Sequence, residues 1–284
     1  SCADAAMIAM FASMLGGAPY SLTLHGRLSD YGPGQSVKWR NAAFGTTVTR
    51  TLKAELLAAV PELDEASIAV GAMGVDTASF TRRTAYAGAR PGGPVRIVSC
   101  GRLHPGKGHA TLIEATALLR AQGMDAALTV LGEGPARRDL EALSEARGIA
   151  ANVKLPGATS EGAVREALEA SHMFALASRD EAIGVATMEA MSMGLPVVVT
   201  GVGGVSELVR DGVDGVLVRP EDPVAVAREV GAKVADPVRA AAMGAAGAAR
   251  IRERFHSGVS AAVLADRLVG HGAHATNVAA IGLK

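Results

Sequence analysis

Cysteine is nearly absent from this chain: there are two in 284 residues, Cys2 and Cys100, far apart and one of them at the terminus. That leaves no disulfide framework and no cysteine-based structural zinc site, and makes the cytoplasm the default compartment. An excess of either charge is also missing, with 28 Lys+Arg against 28 Asp+Glu and a pI near 7.1. A partner such as a long stretch of nucleic acid phosphate is thereby excluded, and any bound anion is expected to be small and held locally. Metal-ligand spacing is lacking too. His104, His109, His172 and His256 form no H-x-x-x-H, no D-x-D pair lies near a strand end, and His271 and His274 have no third ligand beside them.

One uncharged stretch, residues 5–26, is long enough to cross a bilayer. Gly16, Gly17 and Pro19 break it into a helical piece at 5–15 and a strand-like piece at 20–24, each of buried-core length. A signal peptide is not expected, since there is no basic leader and Asp4 stands where Lys or Arg should be. The chain does not begin with Met, which reads as a start inside a domain.

From Val95 onward, short runs of Val, Ile and Leu alternate with helical patterns, the signature of βαβ units and a parallel sheet. Strands are expected at 95–100, 127–131, 153–155, 173–177, 196–200 and 215–218. Helices are expected at 109–121, 135–147, 161–170, 185–193 and 223–234, with a short turn at 206–210. Six strands make one complete doubly wound domain. The earlier part offers only three, at 20–24, 46–49 and 67–70, as if it were the second half of such a domain. The expected organisation is α/β: a partial N-terminal acceptor-side domain over 1–80, an Arg-, Gly- and Pro-rich linker over 81–94, a C-terminal nucleotide-binding domain over 95–255, and a C-terminal helix and tail over 256–284.

Three strand-to-helix loops carry candidate chemistry. In Gly101-Arg102-Leu103-His104-Pro105-Gly106-Lys107-Gly108, glycines permit close backbone approach, while Arg102 and Lys107 offer a planar fork and a point charge to phosphate oxygens. The alternative is a pair of solvated loop cations. A Walker A reading fails at Gly108, which stands where a Mg²⁺-binding Ser or Thr is needed. The second loop, Gly201-Val202-Gly203-Gly204-Val205-Ser206-Glu207, misses the dinucleotide fingerprint, because Ser206 takes the third glycine position and Glu221 lies past Pro220. It reads equally as a tight turn capping a short helix. The third, residues 178–191 (SRDEAIGVATMEAM), opens a helix at Val185 after Gly184. The backbone of Gly184, Val185, Ala186 and Thr187 is suited to phosphate. Glu181 and Glu189 can border one pocket; carboxylates beside a diphosphate select hydroxyl groups, as of a sugar or ribose. The structural alternative is a capping carboxylate and a solvated helix Glu. His25 ends the first strand-like piece, in LTLHG, and is a candidate for the same cleft.

Taken in order, GRLHPGKG at 101–108, LGEGP at 131–135, Glu181 with Glu189, GLPVVVTGVGGVSELVRDG at 194–212 and MGVDTASF at 73–80 resemble glycosyltransferase family 4, retaining enzymes of the two-domain GT-B fold. The likeness covers nearly the whole chain and is greatest to bacterial members that build exopolysaccharide or colanic-acid-type chains. The resemblance implies two Rossmann-like domains, here with the N-terminal one incomplete. It also implies a nucleoside-diphosphate sugar as donor, a saccharide or lipid-linked acceptor, no nucleic acid partner, no bound metal or cofactor, and membrane contact that is at most peripheral. Arg102 and Lys107 would hold the diphosphate, Glu189 the ribose and Glu181 the donor sugar; Gly101 would line the donor site, the backbone of residues 183–187 would reach sugar and phosphate oxygens, and His25 would approach the transferred sugar. Two departures are Ala182, where the family has Gly, and Ala177, where it has Pro. The family's N-terminal glycine-rich loop is not found in these residues. A bare sheet edge, exposed apolar surface, and nucleotide binding with poor turnover are therefore expected. Two other readings stay open: a P-loop-type NTPase and a non-catalytic nucleotide-sugar-binding module.

Overall fold

The computed structural model describes residues 4–281, with side chains through residue 270. Cys2 and the side chains of His271 and His274 lie outside the described residues. The chain divides into two units, one running from Val75 to His256 and the other formed by the residues up to Gly74 together with those from Ser257 onward.

The first unit begins with α1 (Asp4–Gly16), which ends where Gly17 turns the backbone left-handed at φ 73°. Then come β1 (Ser21–Leu24), α2 (Gln35–Arg40), β2 (Phe44–Thr47), α3 (Arg50–Ala59) and β3 (Ile68–Val70). The strands form a parallel sheet in the order β1-β2-β3. The expected strand at 46–49 is found two residues earlier, and Thr49 explains the shift. Its hydroxyl accepts from the Leu52 N–H at 3.2 Å, so the chain has already left the sheet to cap α3. Leu52 and Leu56, one helical turn apart, are buried. Gly45 seats the single Trp: a Cβ there would meet the Trp39 ring and the Ile68 side chain, each at 2.7 Å. α1 buries Ala6 and Met10 but exposes Ile8, Phe11, Met14 and Leu15, the last at 91%.

The second unit contains β4 (Val95–Cys100), α4 (His109–Ala121), β5 (Ala126–Leu131), α5 (Arg137–Ala146), β6 (Val153–Gly157), α6 (Glu161–Ala170), β7 (Met173–Leu176), α7 (Val185–Ser192), β8 (Val197–Thr200), α8 (Val205–Leu208), β9 (Val216–Val218), α9 (Pro223–Ala235) and α10 (Pro237–Arg254). After it, α11 (Ser257–Ile281) belongs with the first unit, where Ser260 donates to the Ala72 carbonyl. The six strands are parallel in the order β6-β5-β4-β7-β8-β9. Counted within the unit this is the 3-2-1-4-5-6 order of doubly wound nucleotide-binding sheets, whose direction reverses between β4 and β7. Every residue of β7 and β8 is buried, as expected of central strands covered on both faces. Helix starts are set by side chains: Ser160 caps α6, while Asp222 and Asp236 cap α9 and α10 ahead of Pro223 and Pro237.

Residues 81–94, expected as a linker, lie within the second unit. The Arg82 guanidinium donates to the Glu169 carbonyl at 2.6 Å, the Thr84 N–H to the Glu169 carboxylate at 2.9 Å, and the Tyr86 hydroxyl to the His172 carbonyl at 2.7 Å. Polar groups of an Arg- and Gly-rich segment have here found fixed partners on α6 and at the start of β7. Among the described residues no helix is long and apolar enough to cross a membrane.

Candidate functional site at the switch point of the sheet

The reversal of strand order puts two loops side by side at the carboxyl edge of the sheet: residues 101–108 after β4 and residues 177–184 after β7. Glycine makes their close approach feasible. Gly108 has φ 65°, and a Cβ there would lie 1.8 Å from the Ala177 carbonyl oxygen. The Arg179 N–H donates to the Gly106 carbonyl at 2.8 Å. The absence of a Ser or Thr at position 108 thus has a steric cause. No side chain fits there, so the geometry opposes a Walker A loop as well as the sequence does.

Two further loops complete the rim. After β5, Gly132 and Gly134 pass so close to the first loop that Cβ atoms would fall 2.0 Å from the Gly101 oxygen and 2.4 Å from the Leu103 oxygen. After β8, a Cβ on Gly203 would fall 1.9 Å from the Glu181 oxygen, and the Gly204 N–H donates to that oxygen at 3.2 Å. The Thr200 hydroxyl, buried, donates to the Ser178 carbonyl at 2.6 Å.

The structure unites Lys107 and Glu181 directly. The Lys107 ammonium donates to Glu181 Oε1 at 2.5 Å, and the Ser178 hydroxyl donates to the same oxygen at 2.9 Å. The Glu181 side chain is only 10% exposed, whereas Arg102 stands exposed on the same loop. Gly184, at φ 88°, begins α7 without a side-chain cap. The first N–H groups of α7, those of Val185 and Ala186, therefore lie at this rim with the positive end of the helix dipole, while the Thr187 N–H donates to the Gly184 carbonyl at 3.0 Å. Glu189, one turn further on, is pushed up to about 7, first by burial and then by the Glu161 carboxylate. It adjoins the end of β4: burial, and secondarily the Glu189 charge, pushes the Cys100 thiol up to about 11. Gly101 itself is tied to β5, its N–H donating to the Leu131 carbonyl at 2.9 Å.

Of the predicted residues of the second unit, Lys107 and Glu181 are in direct contact, while Gly101, Arg102, residues 184–187 and Glu189 stand on the loops and helix that flank the two. His25 follows β1 in the first unit, where burial lowers its pKa below the ordinary value. Among the described residues no group of three His, Cys, Asp or Glu side chains could hold a metal ion. Sequence reasoning missed the mutual pairing of Lys107 with Glu181, and it passed over His109. The latter was visible in principle. Buried positions 109, 112, 113, 116 and 119 repeat with the helical period and put His109 on the covered face of α4.

The profile of the family described as Glycosyl transferases group 1 matches residues 84–250, more than half of the chain. A Salmonella typhimurium protein named as a colanic acid biosynthesis glycosyltransferase, WcaL, is 39% identical over 166 residues, 56% of this chain and 40% of the relative. A Mycolicibacterium smegmatis GDP-mannose-dependent alpha-(1-6)-phosphatidylinositol monomannoside mannosyltransferase is 35% identical over 185 residues, 61% of this chain and 47% of the relative. The chain thus spans less than half the length of these two relatives. Among solved structures, Anabaena Alr3699/HepE in complex with UDP and glucose matches with TM-score 0.82 at 22% identity, over 94% of this chain and 75% of that one. The fold is accordingly that of GT-B glycosyltransferases.

Proposed function

The chain belongs to the group 1 glycosyl transferases, and on that premise we propose that it serves a retaining, metal-independent family 4 glycosyltransferase. In this reading it moves a hexose from a nucleoside-diphosphate sugar to a saccharide or lipid-linked acceptor in cell-surface polysaccharide synthesis. The work would be done in the cytoplasm or at the inner face of the membrane. The observation that carries the reading is the set of glycine-packed loops at the strand-order reversal, where Lys107, Glu181 and the uncapped start of α7 converge.

Each group has a task matched to its chemistry. Arg102 and Lys107 neutralise the diphosphate, and the α7 N-terminus supplies backbone donors from Gly184 to Ala186, with Gly101 allowing close approach. Charge that builds on the leaving phosphate as the glycosidic bond breaks is met by donors already in place. Glu189 accepts from the ribose hydroxyls and Glu181 from the donor sugar, while His25 keeps the role the resemblance implies, approach to the transferred sugar. Same-face attack by the acceptor hydroxyl, with the leaving phosphate taking its proton, retains the anomeric configuration. The proteins similar to this chain include one solved with UDP and one named for GDP-mannose. The base of the donor is therefore the first thing to measure.

Calorimetric titration of UDP, GDP and ATP, each with and without Mg²⁺, tests the reading. Binding of UDP or GDP that is indifferent to Mg²⁺ is expected. Binding of ATP alone, and only with Mg²⁺, would overturn it in favour of an NTPase.

A further inference from the structure

His109, the first residue of α4, is 2% exposed, and neither of its ring nitrogens has a hydrogen-bond partner among the described residues. Buried polar atoms left unpaired cost stability, so one that persists calls for a reason. Its location is informative. A Cβ built on Gly101 would lie 3.7 Å from His109 Nε2 and 3.8 Å from Lys107 Cδ, so the imidazole and the lysine stem share the space that the glycine leaves open. The ring also faces the backbone of Arg102 and Gly101, near enough for weak hydrogen bonding that favours its protonated form, yet neither ring nitrogen reaches a partner at full hydrogen-bond distance and angle. Burial drives its pKa down to about 4, so at neutral pH it brings no charge to a loop that already carries Arg102 and Lys107.

We propose that His109 is a positioning residue for the donor diphosphate: from beneath the 101–108 loop its imidazole N–H takes hold of the Gly101–Arg102 backbone when phosphate binds, and so sets the course of Arg102 and Lys107. The inference rests on the donor-site reading above. The ring N–H is poised beside this backbone but misaligned for a full hydrogen bond, and site hydrogen bonds of this kind tighten when ligand binds. A ring that merely filled the core would be served better by an apolar side chain.

The test compares UDP binding and thermal stability of the parent chain with H109F, which keeps a ring but no donor, and H109Q, whose amide N–H replaces that of Nε2. H109F is expected to match or exceed the parent in Tm yet bind UDP about tenfold more weakly, and H109Q to recover most of the affinity. Parent-like UDP binding by H109F overturns the proposal, as does equal loss of affinity and Tm in both variants. If H109F does not fold, ¹⁵N-histidine spectra of the parent decide. An imidazole resonance absent from H109Q should shift on UDP addition, and a fixed resonance rejects the idea. Failure of the parent to bind any nucleoside diphosphate would instead count against the donor-site reading itself.

Discussion

Lys107 and Glu181, 74 positions apart in sequence, are joined by a 2.5 Å ion pair across the two loops at the strand-order reversal. In the proposed donor site the ammonium serves phosphate and the carboxylate a sugar hydroxyl, so on that reading ligand exchanges one set of partners for another. Glu181→Gln releases Lys107 and removes a negative charge from beside the diphosphate. UDP affinity should hold or rise, while the extra affinity for a UDP- or GDP-sugar over the bare nucleotide should drop by roughly tenfold, the worth of a hydrogen bond to a charged group. Paired titrations of nucleotide and nucleotide sugar read this directly. A parallel fall in both affinities would remove Glu181 from the sugar subsite.

Gly108→Ser restores the hydroxyl of a Walker loop, and the structure says it must fail. The new Cβ would stand 1.8 Å from the Ala177 oxygen at a residue whose φ of 65° already disfavours a side chain. The two loops would have to separate. A stability loss of about 3 kcal/mol or more is expected, together with weaker UDP binding and no gain of Mg²⁺-dependent ATP binding. A melt unchanged from the parent would show that the loops do not pack as described.

The regular elements around this site were legible because their causes are local. Val95–Cys100 is an apolar run ended by glycine, and the buried positions of α4 repeat with the helical period, so both were placed to the residue. Failures arose where a distant group decides. Nothing within residues 81–94 announces that Glu169 and His172 will satisfy their polar groups; the strand expected at 46–49 is a different case, since Thr49 is a local helix cap, three residues before Leu52, in a run that reads as strand. Likewise the loops were recognisable one by one, but the pairing of Lys107 with Glu181 depends on β4 lying beside β7, a property of strand order.

Glu189 gives the protein a pH signature. Its folded pKa of about 7 lies above the ordinary 4.5, because burial and then the Glu161 charge disfavour its ionised form. The unfolded chain releases this proton near pH 4.5 and the folded chain only near 7, so the residue's contribution to stability falls as pH rises through that window. His109 and His172, both lowered to about 4 by burial, act oppositely between pH 4 and 6.5, where the unfolded state binds more protons. Comparing Glu189→Gln with the parent cancels the histidines. The Tm advantage of the variant should grow from pH 4.5 to 7 and then level off; a difference that stays flat across that range refutes the assignment.

Asp214 anchors the segment that follows the fourth loop. It is fully buried, with Oδ1 accepting from the Arg210 N–H at 2.6 Å, Oδ2 accepting from Arg210 Nε at 2.5 Å, and Arg250 Nε 3.8 Å away. Arg250 in turn donates to the Glu207 and Leu208 carbonyls at the end of α8, at 2.8 and 2.6 Å. Asp214→Asn turns one acceptor into a donor facing Arg210 Nε and leaves two guanidinium groups without their buried counter-charge. The Arg210 side chain is half-exposed and regains water, so the cost stays below about 3–5 kcal/mol, that of a fully buried pair broken from one side. Arg250→Met should cost less, since Arg210 still faces the carboxylate and it is chiefly the α8 carbonyls that lose a donor. Urea unfolding of both variants tests the ranking, and a smaller loss for Asp214→Asn than for Arg250→Met would reverse it. If α8 relays the damage to Gly203 and Gly204, which touch the Glu181 backbone, UDP-sugar affinity should fall in Arg250→Met as well; an unchanged affinity confines Asp214 and Arg250 to holding the fold.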